Sequence, residues 1–129
     1  EDHVGGYFRR PVSVRVGCRL EATTAFYRLA ERLGDEKRME TFVDVLKKGT
    51  SFLMRTQYDQ YNTIFFVDPI KPRGAMMRSY WEPSTQIDYT QHAISSIIET
   101  YNILRERADK AEKPVTQKPP EKQPEIPAA

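Results

Sequence analysis

The chain has 129 residues, which allows one domain with a modest core, and its 39% hydrophobic and 29% charged residues are typical of globular proteins. Its net charge of +2 is too small to indicate nucleic-acid binding, and no apolar run approaches the roughly 18 residues of a membrane span. The single cysteine, Cys18, excludes an intrachain disulfide. We therefore expect neither a nucleic-acid partner nor a membrane span.

The first predicted helix spans residues 18–33 and ends at a glycine. Gly34 can adopt the left-handed conformation that closes a helix, and Asp35 can cap the next helix by accepting from its free N–H groups. The apolar residues that recur at helical spacing, and that we expect to be buried, are Ala22, Ala25, Phe26, Leu29, Ala30 and Leu33.

The second predicted helix spans residues 36–56. Because the joint after the first helix is very short, the two helices should form an antiparallel hairpin. Gly49 lies inside this helix at a cost of roughly 1 kcal/mol relative to alanine, which a close helix–helix contact would explain. The apolar stripe of this helix comprises Met39, Phe42, Val43, Leu46 and Leu53.

The third predicted helix spans residues 89–107. The stretch before it, residues 57–85, is irregular, rich in aromatic residues and interrupted by prolines, with a short strand predicted at residues 64–67. Asp88 and Gln91 fit a capping box at the start of the helix. The expected buried stripe comprises Ile94, Ile97, Ile98, Tyr101 and Leu104.

The end of the chain has the composition of a disordered segment. Residues 109–129 contain five of the nine prolines and no aromatic residue. Such a segment buries too little apolar area to offset its ordering entropy. The sequence therefore predicts a mainly α-helical fold of hairpins in residues 1–108 and a disordered Pro/Lys/Glu-rich tail in residues 109–129.

Two segments of the chain resemble each other at a spacing of about 70 residues, which is a mark of repeat architectures. Gly6 aligns with Gly74, and Ala22 aligns with Ala93 after a short insertion in the second segment. Each copy then reads as a glycine-led extended turn, a loop and a helix. The alternative is that the similarity arose by chance.

Glycine-led turns that alternate with helical hairpins resemble the (α/α) toroids, which include six-hairpin glycosidases, N-acylglucosamine 2-epimerase-like folds and terpenoid-cyclase-like barrels. The residues that carry the resemblance are 5–8, Gly-Gly-Tyr-Phe, and 87–94, and it covers about residues 4–107. A toroid contains more hairpins than this chain, and position 1 is Glu. The resemblance thus implies the C-terminal portion of a larger domain, completed by a missing N-terminal portion or by self-association, with a preference for a periplasmic or secreted location.

Three residues near the helix starts are candidates for acid/base catalysis. His92 and Asp88 are four positions apart and so share one face of the third helix. In the repeat alignment Glu21 falls beside His92. The alternative interpretations are that Asp88 is only a cap, that His92 is structural and that Glu21 only favours the helix dipole.

Aromatic residues in the long loop are candidates for carbohydrate binding. Tyr58, Tyr61, Tyr80 and Trp81 could offer faces that stack on a sugar ring, and Arg78 could hold an anionic group. The alternative is that these rings pin the loop onto the helices and that the arginine is solvated or ion-paired.

The sequence lacks the motifs of nucleotide-dependent or nucleophilic chemistry, and its ligand spacing predicts neither a metal site nor a cofactor. The leading hypothesis is a carbohydrate-active or carbohydrate-binding toroid portion, acidic glycans included. If it is an enzyme, it would be a hydrolase, lyase or epimerase. The alternative is a non-catalytic helical interaction module tethered by its Pro-rich tail, in which the aromatic loop contacts a protein.

Overall fold

The computed structural model describes residues 4–7 and 10–112, and this part of the protein is mainly α-helical. It contains the helices α1 (Ser13–Leu33), α2 (Glu36–Arg55) and α3 (Ile87–Glu112). The segment between α2 and α3 is built from turns and two isolated β-bridges. Across residues 4–7 and 10–112, no helix is both long enough and apolar enough to span a bilayer.

The predicted strand at residues 64–67 is wrong. These residues lie in turns, and the Phe66 N–H donates to Thr63 O at 3.0 Å. A strand needs a neighbouring strand to pair its backbone groups, whereas this segment lies on the surface with Phe65 93% exposed. Its apolar residues therefore form an exposed loop.

The α1–α2 hairpin forms as predicted. Gly34 ends α1 with φ 66°, and the Asp35 side chain accepts from the Arg38 N–H at 3.0 Å. Gly49 lies in the predicted close contact, because a Cβ atom there would be 2.5 Å from Leu20 Cδ2. Both glycines thus hold positions that a larger residue would strain.

Helix α1 begins more than one turn earlier than predicted. Its first N–H group, on Ser13, donates to Arg78 O at 2.8 Å. This bond satisfies one of the donors that a helix N-terminus otherwise leaves unpaired. The partner lies far along the chain, so local sequence gave no signal for it.

Helix α3 runs parallel to α1. Gly17 near the start of α1 lies against His92, and further along Arg28 pairs with Glu106. Helix α1 packs along both of the other helices, whereas α2 and α3 contact each other less. Helices α1 and α3 are therefore parallel neighbours, with α2 antiparallel to α1.

Both ends of α3 differ from the prediction. The helix begins at Ile87, so Asp88 lies inside the first turn and is not the capping residue. It ends at Glu112, so residues 109–112 of the predicted tail are helical. The Lys110 ammonium holds this end against α1 through the Glu31 carboxylate at 2.8 Å. The rest of the predicted tail lies outside the described residues.

The predicted stripe of α2 supplies much of the core, and Phe42 lies partly buried beside it. Its four buried members are Met39, Val43, Leu46 and Leu53. The fully buried Leu20 meets Gly49 of α2, and the fully buried Phe52 and Met76, from α2 and the long loop, belong to the same core cluster. A single continuous core thus links the hairpin to the loop.

The predicted stripes of α1 and α3 are largely wrong. Of the α1 stripe only Ala30 is buried, and Leu29 and Leu33 are more than half exposed. On α3, Ile98 and Tyr101 are also more than half exposed. These helices instead meet through small residues, which allow a closer backbone approach than isoleucine side chains. The small residues in or beside this contact are Gly17, Ala93, Ser96 and Thr100.

Candidate functional site

A groove between α1 and α3 brings together side chains from both helices. Cys18 and Glu21 are three positions apart on α1, and Asp88 and His92 are four positions apart on α3, so each pair shares a helix face. Gly17 lets the two helices approach closely here, because a Cβ atom there would be 2.9 Å from the His92 carbonyl carbon. The two helices are thus in backbone contact beside the site.

Glu21 and His92 form the central contact of the groove. A Glu21 carboxylate oxygen lies 2.9 Å from His92 Nδ1, and each side chain is about one-third exposed. A carboxylate at Nδ1 orients the imidazole and favours the tautomer whose other nitrogen, Nε2, accepts a proton. The structure therefore brings together two of the three predicted acid/base residues across a sequence separation of 71 residues.

Cys18 belongs to the same cluster, although its sequence context did not indicate it. Its Sγ, a Glu21 carboxylate oxygen and a His92 ring nitrogen all lie within 4.8 Å of one another. The only local signal was its spacing of three from Glu21 on one helix. Its other partner lies on α3, which spacing along α1 could not reveal.

The environment of Cys18 raises the pKa of its thiol. Burial raises its pKa first, and the nearby carboxylates of Glu21 and Asp88 raise it further. The effect of Asp88 places the third predicted acid/base residue near the cluster. A thiol in this environment is a poor free nucleophile, because the thiolate is the reactive form.

Two of the four predicted sugar-stacking residues pack inside the protein. Tyr58 is buried, its hydroxyl donates to Pro83 O, and burial raises its pKa. The Tyr80 ring meets Phe52 edge-on at 5.7 Å. These two rings pin the loop onto the helices, and this removes them from any exposed platform.

The other two predicted stacking residues are exposed. Tyr61 is 75% exposed and Trp81 is 47% exposed. Trp81 lies in the turn closed by the Ser79–Glu82 bridge, shortly before α3 begins. Since this loop also contacts the first residue of α1 through Arg78 O, Trp81 lies at the end of the helix pair that carries the site.

Arg78 is an ion-paired residue in this loop. Its guanidinium donates to the Glu82 carboxylate, and that hydrogen bond raises the pKa of Arg78. An anionic ligand at this position would compete with Glu82. The Arg78 backbone adds support, because its N–H donates to Ser84 O at 2.8 Å.

The apolar loop at residues 64–70 is a separate surface feature. Phe65, Val67 and Ile70 are each more than two-thirds exposed. Beside them lies an open groove of about 720 Å³, lined largely by apolar atoms. Exposed apolar surface of this kind commonly marks a contact with another molecule.

Comparisons of the chain with protein-family models, with curated proteins and with solved structures find no match.

Proposed function

We propose that the chain is part of an (α/α)-toroid domain that binds a carbohydrate and transfers a proton on it through Glu21 and His92. The observation that carries the proposal is the 2.9 Å contact between the Glu21 carboxylate and His92 Nδ1 across two parallel helices. Function depends on such a site more than on the fold that holds it.

The arrangement of the helices supports the toroid part of the proposal. In a ring of helical hairpins, each inner helix lies parallel to the next inner helix and antiparallel to its own outer helix. Helices α1 and α3 are parallel, as two successive inner helices would be, and α2 is antiparallel to α1, as an outer helix would be. The glycines with a left-handed φ ahead of α1 and α3 are Gly5, at 88°, and Gly74, at 87°, which is one position away from the predicted alignment of Gly6 with Gly74.

The apolar faces of α1 and α3 support the same arrangement. Leu29 and Leu33 are exposed on α1, and Ile94 and Ile98 are exposed on α3. In a ring, the inner helix before α1 would cover Leu29 and Leu33. The inner helix after α3 would cover Ile94 and Ile98. The proposal thus gives a partner to each of the large exposed aliphatic faces.

The position of the cluster on α1 favours a site that faces the centre of such a ring. Leu20 faces α2, because it contacts Gly49. At about 100° per residue, Cys18 lies roughly 160° around α1 from Leu20 and Glu21 lies roughly 100° from it. The cluster therefore lies on the side away from the outer helix, where a toroid binds its substrate.

The chemistry that we propose is proton transfer. Glu21 accepts the hydrogen bond from His92 Nδ1–H, and Nε2 then takes a proton from the sugar or from water and returns it. The negative charge of Glu21 stabilises the imidazolium that forms. Trp81, at the same end of the helix pair, would stack on the apolar face of a sugar ring.

The test is saccharide binding by the full chain, measured by NMR with panels of neutral and uronic-acid-containing oligosaccharides. We expect Trp81→Ala to weaken binding at least tenfold, whereas the control Met54→Ala, which changes an exposed residue on α2, should bind like the wild type. We expect Glu21→Gln and His92→Gln to bind the saccharide but to abolish any turnover. Absence of saccharide binding, or equal binding by Trp81→Ala, would contradict the proposal.

A second candidate function, a non-catalytic interaction module, is favoured by the exposed apolar loop at residues 64–70. In this case Phe65 and Val67 would insert into an apolar groove of a protein partner. A photo-crosslinking residue at position 65 should then capture one partner that the same residue at the exposed position 51 does not. Glu21→Gln and His92→Gln would leave that capture unchanged.

A further inference from the structure

We propose that Cys18, Glu21 and His92 bind one divalent transition-metal ion of the zinc class. Their candidate ligand atoms, one sulfur, one oxygen and one nitrogen, already lie within 4.8 Å of one another. They come from two helices and span 75 residue positions from Cys18 to His92, so the site exists only in the folded chain. The proposal does not depend on carbohydrate binding, and a bound ion would replace the Glu21–His92 hydrogen bond, so metal binding and proton transfer by this pair are alternative states of the site.

The distances between the ligand atoms suit a tetrahedral ion. Metal–ligand bonds of about 2.0–2.3 Å place two ligand atoms of one zinc ion about 3.3–3.7 Å apart. The Glu21–His92 contact of 2.9 Å is shorter than this, so it would open by a few tenths of an ångström as an ion enters. The other separations, all within 4.8 Å, would close toward the same range.

The chemical identity of the ligands selects the class of metal. A cysteine sulfur and a histidine nitrogen suit Zn²⁺ and Co²⁺, whereas Mg²⁺ and Ca²⁺ prefer oxygen ligands alone. Three protein ligands leave one of four tetrahedral positions for water, as in catalytic zinc sites. The site would therefore be an open site and not a closed structural one.

The surroundings hold the ligands in place and leave a path for the ion. The close approach at Gly17 fixes the spacing of α1 and α3 beside the cluster. Cys18 is exposed, and Glu21 and His92 are each about one-third exposed, so an ion can enter from solvent. Asp88 adds a second negative charge near the thiol, which favours a cation.

The test uses the full chain, stripped with a chelator, kept reduced and titrated with Co²⁺ alone. We expect one ion per chain and the near-ultraviolet absorption of a cobalt–thiolate bond, which Zn²⁺ then displaces. Cys18→Ser should lose that absorption, and Glu21→Gln and His92→Ala should each weaken Co²⁺ binding at least tenfold. The matched controls are Glu99→Gln, an exposed carboxylate on α3, and His3→Ala, the other histidine of the chain, and both should bind like the wild type.

Three results would overturn the proposal. They are no cobalt–thiolate absorption in the wild-type chain, an unchanged spectrum in Cys18→Ser, and a stoichiometry of one ion per two chains. Circular dichroism of each variant checks that a loss of Co²⁺ binding is not a loss of folding. Cys18→Ser and Glu21→Gln are nearly isosteric and should retain the wild-type helical signal. A rise in Tm with Zn²⁺ in the wild type but not in Cys18→Ser would support the site independently.

Discussion

Gly17 controls the site at the scale of a single residue. A Cβ atom there would lie 2.9 Å from the backbone carbonyl carbon of His92 and 3.0 Å from the nitrogen of Ala93. Backbone atoms cannot rotate away as a side-chain tip can, so helix α3 as a whole would have to shift. The absence of a side chain at one position therefore sets the distance between the two halves of the cluster.

We expect Gly17→Ala to lower the free energy of unfolding by about 1–2 kcal/mol, because a clash with backbone atoms places the overpacking cost at about 2–3 kcal/mol, against a gain of roughly 1 kcal/mol in helix propensity. It should also weaken Co²⁺ binding, since it separates α1 from α3. Urea unfolding followed by circular dichroism and the cobalt titration measure these two effects.

The matched control is Gly49→Ala. Its Cβ atom would meet the Leu20 side chain, which lies roughly 160° around α1 from Cys18, so this variant should also destabilise the protein but leave Co²⁺ binding intact. An unchanged stability in Gly17→Ala would contradict the close approach of α1 and α3.

At the scale of the elements, an ion-pair network holds α3 parallel to α1. Arg28 on α1 pairs with Glu106 on α3 at 2.8 Å, and Lys110 on α3 pairs with Glu31 on α1 at 2.8 Å. Arg28 also reaches Glu31 at 3.2 Å, which links the two pairs. Networks of this kind stabilise more than isolated exposed pairs do.

We expect Arg28→Met, which keeps most of the apolar stem, to cost about 1 kcal/mol of stability. The matched control is Lys48→Met, because Lys48 pairs with Asp44 inside α2 and joins no two helices. This control should stay within about 0.5 kcal/mol of the wild type. Equal effects of the two substitutions would show that the network does not join the helices.

The same network predicts how stability depends on pH. The Lys110 ammonium lowers the pKa of Glu31, and the Arg28 guanidinium lowers the pKa of Glu106. Their stabilisation is therefore present above the unfolded-state pKa of about 4.3 and is lost as pH falls through the lower folded-state values. Urea midpoints measured between about pH 6 and pH 3 should fall more steeply for the wild type than for Arg28→Met.

At the scale of the whole molecule, two apolar faces lie on opposite sides of the helix pair. Phe26, Leu29 and Leu33 form a shallow groove of about 200 Å³ with Phe42. Ile98 and Tyr101 lie on the side of α3 away from α1. Two different faces of this kind favour head-to-tail association, in which the α3 face of one chain covers the α1 face of the next.

We expect the isolated chain to associate, with a mass above the 15.0 kDa of one copy when size-exclusion chromatography is combined with light scattering. Leu29→Lys and Ile98→Lys should each shift the chain toward the monomer, because each charges one side of the same contact. The control Met54→Lys charges an exposed residue of α2 and should change nothing. A wild-type chain that stays monomeric at high concentration would argue against the toroid.

Features that depend on neighbouring residues could be predicted from the sequence. The turn at Gly34 and Asp35, the buried stripe of α2 and the close contact at Gly49 were all predictable. Each depends on a local backbone preference or on one helix period. For the same reason the sequence predicted that Asp88 and His92 share one helix face.

The faces through which α1 and α3 meet could not be predicted from the sequence and are set by the packing of the folded chain. Both helices carry large apolar residues, such as Leu29 and Ile98, and a second face of small ones. Helical periodicity identifies an apolar face but not the helix that covers it. Here the backbone contact at Gly17 places the faces that carry small residues against each other. This packing leaves the large faces exposed and brings His92 to Cys18 and Glu21, because convergence of groups from two helices depends on their packing and not on sequence spacing.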